Sequence, residues 1–129
     1  MINAEEMYSK LFSDERIIAL VPEDNIFNGY PDTRENFPCI GYIDDNQNDS
    51  ELNDNKPSAS DCFVEVHIFS KKLDGYTSTA DIAKVIGEVM NEKFWYGSQN
   101  RGNLPDPDPN TEHRVLRFQK SIYNKLNIN

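Results

Sequence analysis

A chain of 129 residues with a net charge of -9, 37% hydrophobic and 11% aromatic residues has room for one domain and one modest core. Its acidity argues against holding nucleic-acid phosphates or anionic membranes through clustered Lys and Arg, and its aromatic content and periodic apolar pattern exclude general disorder. Two cysteines make no secreted disulfide framework, no basic-then-apolar leader opens the sequence, and no apolar run reaches membrane-spanning length. The expectation is one soluble domain over 1–129, with Cys39 and Cys62 reduced in a cytoplasm.

The first predicted element is a short helix from Asn3. Asn3 with Glu6 three residues on reads as an N-cap and capping-box partner, and Met7, Tyr8 and Leu11 form an apolar stripe. A second helical stretch, 14–21, carries Ile17, Ile18 and Val21 and stops at Pro22. Residues 23–37, rich in Asn, Gly, Pro and Asp, read as a loop that Phe27 and Tyr30 pin to the body. A strand over 38–44 follows, then a polar run, about 45–60, expected to be a mobile loop.

Residues 61–71 alternate, with Cys62, Val64, Val66 and Ile68 against Phe63, Glu65, His67 and Phe69. Ile82, Val85, Ile86, Val89 and Met90 recur at the helical period and predict a long helix over about 79–91, capped by Ser78 or Thr79. A third strand is expected at 94–96. The segment Leu104-Pro-Asp-Pro-Asp-Pro109 is a stiff acidic loop, because each proline fixes φ and extends the residue before it. It leads into a basic strand, His113-Arg-Val-Leu-Arg-Phe118, running to Tyr123, with a frayed tail over 124–129. The fold class is therefore α+β: an antiparallel sheet of about four strands, the long helix across one face, and helices at the N-terminus.

Chemistry is sparse. Cys39, Cys62, His67 and His113 lack the close ligand pairs of a zinc site, and they read as small core residues and a sheet-face histidine. Asp106 and Asp108 lack the glycine turn and terminal glutamate of a calcium loop. No motif surrounds either cysteine, and no phosphate-cradling loop or nucleophile elbow is present. The expectation is a protein without enzymatic activity, metal or cofactor.

Arg114, Arg117, Lys120 and Lys125 lie on or beside the last strand, while 45–61 and the proline loop are acidic. This split permits a basic strand on one copy to face an acidic loop on the next, a heterologous contact of the kind that closes into rings. The candidate interface residues are Asp106, Asp108, His113, Arg114 and Arg117.

The element order, the Leu104–Pro109 loop, the His113–Phe118 strand and the 62–71 strand with its Ser70-Lys71 exit resemble the small tail-completion proteins of long-tailed phages. These head-to-tail joining, or tail terminator, proteins are common in prophages of Gram-positive bacteria. The resemblance spans about residues 10–123. It implies an α+β fold and a ring, generally a hexamer, that caps the tail tube and docks to the head connector. Viral DNA would leave through that ring. It also implies assembly in the host cytoplasm and residence in the virion neck, with other copies, the tail tube protein and head connector proteins as partners. A different class of function fits the acidity too: a small inhibitor or immunity protein that blocks a basic partner by charge complementarity.

Overall fold

The computed structural model describes residues 4–31, 36–44, 59–102 and 104–123. The expectations for Asn3, for 45–58 of the loop expected over 45–60, and for the tail 124–129 lie outside the described residues; Ala59 and Ser60, expected in that loop, are strand. Chain order is α1 (Ala4–Phe12), α2 (Glu15–Ile18), a 3-10 turn (Glu23–Asn25), β1 (Ile26–Asn28), β2 (Cys39–Asp44), β3 (Ala59–Lys71), α3 (Thr79–Glu92), β4 (Tyr96–Arg101) and β5 (Thr111–Tyr123). The strands form one sheet in the order β1-β2-β3-β5-β4. Four of them are antiparallel neighbours, and β1 adds a short parallel edge on β2.

The alternation read along 61–71 places Val64, Val66 and Ile68 under the helices, where they join Ile40, Leu116 and Phe118 in one core. Across from them α3 contributes Ile82, Ala83, Ile86, Val89 and Met90, with Val85 at the margin of the cluster. Ser78 caps α3 by accepting from the Asp81 amide at 3.2 Å, and Glu112 of β5 accepts from the Thr79 amide at 3.0 Å. Both bonds satisfy amides that the helix itself leaves unpaired, and negative charge there suits the helix dipole. α1 lies on the same face. Phe12 stacks on Tyr42 with ring centroids 4.7 Å apart, and the Tyr8 hydroxyl donates to the Phe63 carbonyl.

Three expectations shift. Residues 23–37 are not all loop, since Ile26–Asn28 pairs with Ile40–Tyr42. The second helical stretch is one turn, Glu15–Ile18, held to α3 by Arg16 at 2.6 Å from Glu92. The strand expected at 94–96 begins at Tyr96 and runs to Arg101. The cause is how α3 ends. Trp95 donates its amide to the Met90 carbonyl and Phe94 to that of Asn91, while Phe94 takes φ 67°. That is a Schellman ending, in which the residue after the left-handed one folds back on the last helical turn. Trp95, only 1% exposed, thus drops into the core beside Met90 and cannot be strand.

Ile86, fully buried at the centre of the helix face, is the sensitive position. Ile86→Ala is expected to cost about 2–5 kcal/mol. Chemical denaturation reads this directly, and a loss well below 1 kcal/mol would place α3 outside the main core.

Candidate interaction surface

Of the residues that sequence reasoning singled out, the sheet face away from the helices carries His67, His113 and Arg117. Cys39, Phe69 and Val115 are buried there without belonging to the helix-side core. A short segment of the β1–β2 connection covers part of it. At Gly41 an added Cβ would run into the Gly29 carbonyl and the Pro31 ring, so only glycine lets that segment lie flat on β2. Tyr30 then meets His67 and Phe69 edge-on, at 5.1 and 5.7 Å between ring centroids.

His67 and His113 sit on neighbouring strands and touch. Nδ1 of His67 is 2.9 Å from Nε2 of His113, and Nε2 of His67 is 2.6 Å from Oε1 of Glu65. With Glu65 ionised, His67 donates from Nε2 and receives a proton contact from His113 at Nδ1. Two nitrogens that close need one donor and one acceptor. The His113 ring also stacks on Phe69, with centroids 4.3 Å apart. Cys39 lies opposite Phe69 at one end of β2, and Cys62 pairs with Lys120 beyond the other end.

The proline loop is tied to the body through its aspartates. Asp108 accepts from Lys71 Nζ at 2.8 Å, the Asn110 amide at 2.9 Å and the Thr111 hydroxyl at 3.1 Å, and Asp106 accepts from the Asp108 amide at 3.0 Å. Lys71 also lies 4.4 Å over the Phe37 ring, so one ammonium joins the loop to the covering segment. The Lys71 hydrogen bond, with help from the Asn110 amide, holds the Asp108 carboxyl at about 2, below its ordinary 3.8. Both aspartates of the expected interface therefore shape their own loop, while Asp108 keeps 44% of its side chain exposed.

The arginines do not share a face. Arg114 points to the helix side, 3.3 Å from the Thr79 hydroxyl and 2.7 Å from Asn100 Oδ1. Arg117 lies on the opposite face, 4.4 Å over the Phe63 ring and across from Glu65. The basic face expected to contain both arginines is thus divided, because residues three apart on a strand point to opposite sides. Strand period carries that signal, and counting charge along the strand overlooks it. Between α3 and β4 an open groove of about 300 Å³, lined by Ala83, Gly87, Gly97, Leu116 and Phe118 with two amide side chains, holds no titratable group.

No family model matches the sequence, and no curated protein matches it. Among solved structures, a chain of the virion of a native gene transfer agent particle matches in fold at a TM-score of 0.60. The match covers 91% of this chain and 91% of that one, at 11% identity. At that identity the likeness establishes the shared fold.

Two outcomes test this geometry. Because the folded Asp108 carboxyl ionises at lower pH than an ordinary one, its contribution is complete above about pH 4. It is lost as pH falls through about 2. The melting difference between the wild-type protein and Asp108→Asn is therefore expected to shrink across that window. A difference that stays constant would assign Asp108 a packing role alone. His113→Ala leaves His67 Nδ1 without its partner and removes a stacked ring, for an expected loss of about 1–3 kcal/mol in denaturant unfolding. An unchanged midpoint would mean that water replaces the pair without cost.

Proposed function

We propose that this chain is a non-enzymatic structural component of a tailed virion, of the tail-completion class, acting as a ring that caps the tail tube and joins it to the head connector. One observation carries the reading: the fold runs along 91% of both chains with a component of a gene transfer agent virion. The resemblance of the 104–109 loop and the 113–118 strand to tail-completion proteins points the same way. A ring that DNA traverses gains from an acidic surface, since a net charge of -9 disfavours retention of phosphates. The partners are other copies, the tail tube protein and head connector proteins. The locations are the host cytoplasm during assembly and the virion neck afterwards.

Arg117 is the cation we assign to the docking surface, on the open sheet face near Phe63 and Glu65. Arg114 is spent within the molecule on Thr79 and Asn100. Electron microscopy of tail tubes mixed with the purified protein tests the reading. Ring density is expected at one end of each tube, with lower occupancy for Arg117→Glu at equal thermal stability. Tube ends that stay bare at saturating protein would overturn it.

A further inference from the structure

β4 closes one edge of the sheet and β1 the other. Proteins usually guard such edges with Lys, Pro or a bulge, because unpaired backbone groups attract another strand. β1, Ile26-Phe27-Asn28, carries no charge. β4 has no proline and no charge before Arg101, and its guard is the bulge between Gly97 and Gln99. Past β4 the edge continues. β4 begins opposite Gln119, yet β5 stays a strand to Tyr123, so 120–123 has no neighbour on that side among the described strands.

Six large hydrophobic residues are exposed among the described residues, and three of them stand at these edges. Phe94 and Tyr96, at 68% and 64%, stand at the β4 end, and Phe27, at 36%, stands on β1. Phe94 is the most informative. It occupies the left-handed position of the Schellman ending, where glycine is usual and a Cβ is strained. The fold therefore bears a backbone penalty and exposes a large ring at the same residue. Charge is sorted in the same way. Glu23 and Asp24 are exposed beside β1, whereas exposed Arg101 and half-buried Lys120 flank β4.

We infer that the two edges are halves of one contact between copies of this chain. The β4–β5 edge of one copy receives the β1 edge of the next, so that Phe94 and Tyr96 meet Phe27. Arg101 and Lys120 then meet Glu23 and Asp24. Edge-to-edge addition supplies backbone hydrogen bonds, and side chains at the rim give specificity. Because the two edges differ, the contact is heterologous, which is the geometry of rings and filaments. Uncharged strands at the contact also limit the repulsion between copies that each carry -9. The inference rests on the ring reading above and adds the surfaces that close the ring.

The test is a charge exchange followed by sedimentation up to about 1 mM, where weak contacts become populated. The wild-type protein is expected to self-associate. Arg101→Glu with Lys120→Glu, and separately Glu23→Lys with Asp24→Lys, are each expected to remain monomeric. An equal mixture of the two variants is expected to associate again, because each kind of edge then meets its opposite. Phe94→Gly is expected to melt at the same temperature or higher while associating on the order of tenfold more weakly. Two results would overturn the contact: a wild-type protein that stays monomeric throughout, or variants that associate like the wild type. Rings on tail tubes that survive both charge reversals would remove this contact and leave the ring reading standing. Absent rings with the wild-type protein would remove the ring reading itself.

Discussion

The antiparallel ladder between β3 and β5 is the constraint on which the rest depends. It pairs Ala59 with Tyr123 and continues without a break to Lys71 with Thr111. Side chains in a strand alternate, so a shift of one residue would exchange the two faces of everything attached to it. This register puts Val64, Val66, Ile68, Leu116 and Phe118 under the helices. It sets His67 close enough to His113 for a 2.9 Å contact and leaves Arg117 on the other face from Arg114. The histidine pair and the division of the basic strand are consequences of one alignment.

The two faces are stabilised in different ways. The helix side is a dry core closed by Trp95, Tyr8 and the α3 stripe, where loss of area on exposure dominates. The open side is smaller and mixed, with Phe69 and the two imidazoles stacked beneath Tyr30 and Glu65 hydrogen-bonded to His67. Lys71 ties its two coverings together by contacting both Phe37 and Asp108. Such an exposed pair contributes modest energy, so its role is to fix where the proline loop lies.

Most of the architecture was legible wherever a period was long enough to read. The helix Thr79–Glu92 has five apolar residues at helical spacing and a serine cap, and β3 and β5 alternate over many residues. β1 was not legible, because three residues in a polar stretch show no period and depend on β2 for their structure. β4 is expected too early and too short, at 94–96, for another reason. Tyr96-Gly-Ser-Gln-Asn-Arg101 offers no apolar alternation, while the preceding Phe-Trp looks like the strand and is instead a helix ending. Of the candidate interface, the loop and the strand stand where the sequence places them. The internal duties of Asp106, Asp108 and Arg114 are set by contacts with residues as distant in sequence as Lys71 and Thr79.

Phe94 shows how core packing and surface exposure separate within one turn of chain. Trp95 must fall onto Met90 to complete the core, and the Schellman geometry that puts it there forces the residue before it into left-handed backbone. Glycine would occupy that position without strain, whereas a Cβ costs about 1–2 kcal/mol. The same turn aims the Phe94 ring away from the core and beside an edge strand already bearing Tyr96. A residue that penalises the folded monomer and offers its apolar surface to solvent is the trade made where function needs a surface that stability does not. Strained backbone and exposed apolar area coincide there, at an edge whose sequence carries no motif.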